Sequence, residues 1–236
     1  MRIILPLGLL MALLMVGCQQ PSEKSTVVAT ESQIEQTSFE PKMAGISSYE
    51  WMNEPSSYSV EGKILNVRAE KGTDFFNNPE NSSVTGTAPM LFKEMTGDFV
   101  ATAVVRPDFS AQWNAVSLMM YMDENYWIKF AFENSDATGK SIVTVVTREV
   151  SDDANGVVLN DKDMVWLRMI RKGNIYSMLW SEDGEDYKMA RLAAMPIAES
   201  VKIGVEAQCP VGEGATHEIL QFEIKEKTVA DLRKGE

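Results

Sequence analysis

Between residues 46 and 225 apolar and polar positions alternate with a period of two, in short runs cut by Gly, Asn and Asp. "EGKILNVRAE" carries Ile64 and Val67 beside a Gly turn. "GDFVATAVVRP" sets Phe99, Ala101, Ala103 and Val105 against Val100, Thr102 and Val104, and stops at Pro107. "AVSLMMYMDE" and "YWIKFAFEN" predict a hairpin around "MDEN". "KSIVTVVTREV" is rich in β-branched residues and reads as one strand. "MVWLRMIRKGNIYSMLWSEDGEDYKMA" reads as two or three strands, with turns at Lys172-Gly173-Asn174 and at Asp183-Gly184. "SVKIGVEAQ" and "HEILQFEIKE" close the series. A helical period is at most a feature of the terminal "ADLRKGE". Many short strands with polar turns predict an all-β sandwich or barrel.

One strand raises a question of function. In "ENYWIKFAFENS" (Glu124 to Ser135), Ile128, Phe130 and Phe132 share one face, and Trp127, Lys129, Ala131 and Glu133 share the other. The second face is either a solvated outer surface with a Lys–Glu pair, or the floor of a site.

The ends of the chain follow other patterns. Residues 1–17, "MRIILPLGLLMALLMVG", hold one Arg and then an unbroken apolar run of signal-peptide proportions. A small residue directly precedes Cys18, the bacterial lipoprotein pattern, so Cys18 is the expected lipidation site. Gln19, in place of an Asp, favours an outer-membrane or surface anchor within the cell envelope. Residues 18–45 are then a lipidated Cys and a flexible tether rich in Ser, Thr, Glu and Gln. Residues 46–225 form the domain, and residues 226–236 a charged tail.

The formal net charge is −12, and without residues 1–17 it becomes −13, from 21 basic and 34 acidic residues. Such a chain repels phosphate backbones, which argues against nucleic acid as a partner. With Cys18 lipidated only Cys209 remains, so no intrachain disulfide is expected; Cys209 reads as a small buried apolar residue.

Eight stretches in order resemble one bacterial and fungal family, the DUF1349 or regulation-of-enolase-1-like group. They are "WMNEPSSYSVEGKILNV", "KGTDFFNNP", "MTGDFVATAVV", "AVSLMMYMDENYWIKFAFE", "SIVTVVTREVSDD", "VWLRMIRKGN", "WSEDGEDYKMARL" and "VKIGVEAQCPVGEG". The chain departs from the usual pattern at Phe76, at Asn114 and at Asp153, where family members usually carry Trp, Asp and Trp. The resemblance implies a concanavalin A-like jelly-roll β-sandwich of two antiparallel sheets. Related lectins, glucanases and lyases bind sugar in a groove on the concave sheet.

On that fold, Trp127, Lys129 and Glu133 become a candidate binding surface for carbohydrate. An aromatic plane stacks on a pyranose, and charged groups bind its hydroxyls. Trp113 and Arg148 join them as candidates from neighbouring segments, Arg148 as a partner for Glu133 or a uronate. Glu133 is also the candidate acid or base for a glycan-active hydrolase or lyase. The paired-acid motif of jelly-roll glucanases is absent. Glu133 stands where jelly-roll lyases carry a Tyr, and the one His, His217, reads as structural. No His/Cys cluster supports zinc, and no cofactor is expected; jelly-roll lectins keep a structural calcium open as a weak alternative. A purely structural envelope module is the third reading.

Overall fold

The computed structural model describes residues 48–236; the expected leader, Cys18 and the whole of the expected tether lie outside the described residues. Sixteen strands follow in order: β1 (Glu50–Met52), β2 (Tyr58–Glu61), β3 (Ile64–Ala69), β4 (Phe75–Asn77), β5 (Val84–Gly86), β6 (Met90–Thr96), β7 (Phe99–Arg106) and β8 (Ala115–Asp123). The second half holds β9 (Tyr126–Ser135), β10 (Gly139–Arg148), β11 (Val150–Val158), β12 (Val165–Lys172), β13 (Ile175–Ser181), β14 (Lys188–Ala194), β15 (Ser200–Gln208) and β16 (Ala215–Glu226).

Two seven-stranded antiparallel sheets result. The first runs β1-β6-β15-β8-β9-β10-β11 and the second β14-β13-β12-β7-β16-β3-β2. β15 inserts between β6 and β8, and β16 between β7 and β3, the interleaving of a jelly roll. β4 and β5 form a separate short hairpin. The all-β class is therefore the one that the alternating pattern predicts.

Local chemistry explains the turns. The Asp123 carboxylate accepts hydrogen bonds from the backbone N–H groups of Asn125 and Tyr126, at 2.8 and 3.0 Å, and closes the β8–β9 hairpin. Gly173 turns β12 into β13 with φ of 60°, a conformation that costs glycine nothing. The run read as one strand to Val150 breaks at Glu149, whose φ is 67°. The chain then returns as β11.

The main core lies between the sheets. Ile128, Phe130 and Phe132 from β9 meet Leu167, Met169 and Phe222 from the second sheet, all fully or nearly fully buried. Burial of each such side chain is worth roughly 1.5–3 kcal/mol. Cys209 is buried as a free thiol.

The C-terminal residues are more than a tail. Val229 and Leu232 pack on Val100, Ile170 and Leu179 on the outer side of the second sheet. The Ser177 hydroxyl donates to the Leu232 carbonyl at 2.6 Å, and Lys172 Nζ donates to the Val229 carbonyl at 2.7 Å. Residues 226–236 are mostly charged, and Val229 and Leu232 are the apolar side chains that dock them.

Candidate functional site

The face of β9 opposite the main core points away from the second sheet. Pairing in register sets its side chains in rows across five strands. One row runs Gln208, Ala115, Glu133, Ser141. The next runs Glu206, Ser117, Ala131, Val143, Asn155, and the third Gly204, Met119, Lys129, Val145, Asp153. These rows come from β15, β8, β9, β10 and β11 together, which no single stretch of sequence reveals.

Part of this face is covered. Residues 73–88, with the β4–β5 hairpin, fold over it and form a second apolar cluster of Phe75, Ala88, Met90, Met119 and Trp127. The Trp127 ring stands edge-on to Phe75 at 6.1 Å and is 1% exposed. The aromatic plane expected for a ligand is thus a core residue here, and it does not line the cavity described below.

Lys129 is buried as well, at 2% exposure. Its Nζ donates to Asp74 Oδ1 at 2.9 Å, to the Phe75 carbonyl at 2.9 Å and to Gln208 Oε1 at 2.7 Å. All three ammonium protons therefore have acceptors. Gln208 Nε2 in turn donates to the Trp113 carbonyl at 2.8 Å. Burial pulls the Lys129 pKa down, but Asp74, Glu206 and Glu133 outweigh it and hold the amine above its ordinary value.

Beside this hub the face opens into a cavity of about 520 Å³. Glu133 and Lys129 form its floor, Asp153 and Asn155 one wall, and Trp113 with Phe76 part of the rim. Glu133 is 6% exposed, and its carboxylate accepts no hydrogen bond from any described residue. Burial pushes its pKa up to about 8; Lys129 pulls against this, and Asp74, Glu206 and Asp153 add to it. Glu206, fully buried next to it in the sheet, is pushed up to about 7 by burial, against the pull of Lys129 and the Ser117 hydroxyl. One cation thus faces three acids, Asp74, Glu133 and Glu206. The favoured state at neutral pH keeps a proton within the cluster.

Trp113 has φ of 61°, a left-handed conformation that costs a bulky residue energy. Two hydrogen bonds hold it there: its N–H donates to the Asn134 carbonyl at 2.7 Å, and its carbonyl accepts from Gln208. Backbone strain at a cavity rim is a common mark of functional sites.

The remaining candidates fall elsewhere. Arg148 sits on the opposite face of β10 from Val145 and Thr147, and its guanidinium donates to the Ala194 carbonyl at 3.3 Å, so it does not converge with Glu133. Alternation within "TVVTR" sets Arg148 out of phase with Val145, the residue that the register pairs with Lys129. His217 is fully buried, and its Nδ1 accepts from the Asp108 N–H at 3.1 Å. Burial lowers its pKa to about 4, so the ring is neutral and structural. Among the described residues no group of three or more His, Cys, Asp or Glu could hold a metal ion.

Asp74, Gln208 and Asp153 are the site residues that sequence reasoning did not name. Asp74 accepts the Phe75 N–H at 2.7 Å, and the same oxygen binds Lys129. Of the three departures from the family pattern, Phe76 and Asp153 line the cavity, whereas Asn114 is fully buried behind its rim.

The fold and this face define a two-sheet jelly-roll protein with an acidic cavity on the outer side of one sheet. Residues 51–227 match the family described as "Protein of unknown function (DUF1349)", and the chain belongs to that family. No curated protein matches it. A functionally unknown protein from Saccharomyces cerevisiae is similar in structure, with a TM-score of 0.72 and 21% identity over 78% of this chain and 99% of that one. The GH43 BlXynB protein from Bacillus licheniformis matches with a TM-score of 0.60 and 12% identity, over 79% of this chain and 38% of its own. Lectin I-B4 from Griffonia simplicifolia matches with a TM-score of 0.53 and 10% identity, over 79% and 97%. At these identities the likeness is one of fold.

Proposed function

We propose that the chain is a lipid-anchored, extracytoplasmic domain that binds carbohydrate in the cavity on the outer face of its first sheet. The observation that carries this reading is the Glu133 carboxyl, without a hydrogen-bond partner among the described residues, on the floor of a cavity rimmed by the strained Trp113. Sugars need that pairing of an aromatic face with polar groups free to bond. Sandwich folds of lectins and GH43 proteins are consistent with it as analogy. Membership in the cell envelope rests on the apolar leader and Cys18.

The test is a glycan array probed with the full chain. Binding is expected, and Trp113→Ala should weaken it by about tenfold or more, in line with a lost stacking contact. An unchanged affinity in that variant sinks the site. For the anchor, Cys18→Ser should shift the protein from the membrane fraction to the soluble one; a variant that stays membrane-bound removes the lipid from the account.

A second reading is favoured by one observation. A Glu133 that keeps its proton near pH 7, close to the Asp153 and Asp74 carboxylates, is in the state a general acid for glycoside cleavage requires. Product from a polysaccharide panel that disappears with Glu133→Gln supports an enzyme; no product from the wild type on any polysaccharide removes it.

A further inference from the structure

The cavity has a sign. Its one lining cation among the described residues, Lys129, is buried with its three protons already bound to Asp74, Phe75 and Gln208. Arg148, the other cation that the sequence offered, lies on the opposite face of its strand. Against this, the lining carries Glu80, Asp136 and Asp153, all exposed, and Glu133 at the floor, 6% exposed and without a hydrogen-bond partner among the described residues. Gln208 is committed at both ends of its amide, to Lys129 and to Trp113. A ligand entering here meets acceptors and negative charge, so it must supply donors, and it gains most if it supplies positive charge. A uronate would meet the reverse of what it needs.

Building on the carbohydrate reading above, we propose that the cavity takes a sugar with a free amino group, its ammonium bound at Glu133 within the field of the Asp153 carboxylate and its ring stacked on Trp113. The two carboxylates come from different strands. Glu133 lies on β9, and Asp153 lies on β11 directly opposite Val145, which itself pairs with Lys129. The charge of a bound ammonium favours the ionised form of Glu133, which releases its proton to solvent and then accepts from the ammonium. N-acetylation removes the charge and two of the donors, and so removes most of the preference.

Titration calorimetry with the full chain tests this, using fully deacetylated chito-oligosaccharides, their fully N-acetylated counterparts and oligogalacturonate as probes. The deacetylated oligomer should bind at least tenfold more tightly than the acetylated one, with a gap that shrinks on adding salt, and oligogalacturonate should not compete. Asp153→Asn, at an exposed position where folding is not at stake, should reduce the gap at least threefold. Glu133→Gln should reduce it further. Trp113→Ala should weaken both oligomers alike. Equal affinity for the acetylated and deacetylated forms, tighter binding of oligogalacturonate, or an unaltered gap in Asp153→Asn overturns the amino-sugar inference and leaves carbohydrate binding standing. Absence of binding to every glycan, on the array as well, overturns the carbohydrate reading and this inference with it.

Discussion

Lys129 organises the outer face of the first sheet through three short hydrogen bonds from a single ammonium. A buried charge is costly unless compensated, and here the compensation comes from the 73–75 segment and from β15. Lys129→Met would leave Asp74 with its carboxylate partly buried, and Glu133 and Glu206 without their one cation. A loss of about 3–5 kcal/mol is expected, because the remaining charge is left uncompensated. Urea denaturation measures it; a loss below about 1 kcal/mol would show that the cluster is already neutral without the lysine. Period-two reading placed Lys129 and Glu133 on one face, and the structure has both lining the same cavity. It also placed Trp127 there, and the parity was right. What parity does not carry is coverage: Trp127 is a core residue because Phe75 lies on it.

The elements that build the cavity are the ones least visible in the chain. β4 and β5 have three residues each, too short for a periodic signal. β11, "VSDDANGVV", is an edge strand exposed along most of its length, so neither face carries the apolar repeat that marks a strand. The long central strands β8, β9, β10 and β15 were legible because burial on both faces makes them apolar and β-branched. Asn77 joins the two classes. Its Nδ2 donates to the Glu124 and Glu149 carbonyls, each at 2.9 Å, and its backbone N–H donates to Ser151 Oγ at 2.9 Å. One side chain thus ties β4 to the β8–β9 and β10–β11 turns. Asn77→Ala should cost about 2 kcal/mol, from two hydrogen bonds lost at carbonyls that then lack a donor. The midpoint of chemical denaturation should fall with an unchanged slope. A variant as stable as the wild type would mean that the β4 segment is held by Phe75 packing alone.

Across the molecule, three buried titratable groups set opposing trends with pH. His217 is lowered to about 4, so its contribution is complete above its unfolded value near 6.5 and is lost as pH falls through about 4. Glu133 and Glu206 are raised to about 8 and about 7, so theirs is complete below about 4.5 and is lost as pH rises through 7 to 8. Two carboxyls outweigh one imidazole in the interval where the trends overlap. The melting temperature should therefore be higher at about pH 5 than at about pH 8, and Glu133→Gln should flatten the difference. A melting temperature that rises steadily over that range would contradict the buried-acid account. The growing negative charge of a chain at −12 acts in the same direction. At this level the all-β class, the succession of the main strands along the chain and the division of β9 into two faces followed from the chain alone, because each depends on local alternation and turn chemistry. Which acids share one cation, that Arg148 turns away and that Trp113 takes the rim while Trp127 is sealed beneath a hairpin were decided by the tertiary structure. Those outcomes depend on strand order and on a covering loop that bring together residues as far apart as Asp74 and Gln208, and alternation within a strand carries no record of its neighbours across the sheet.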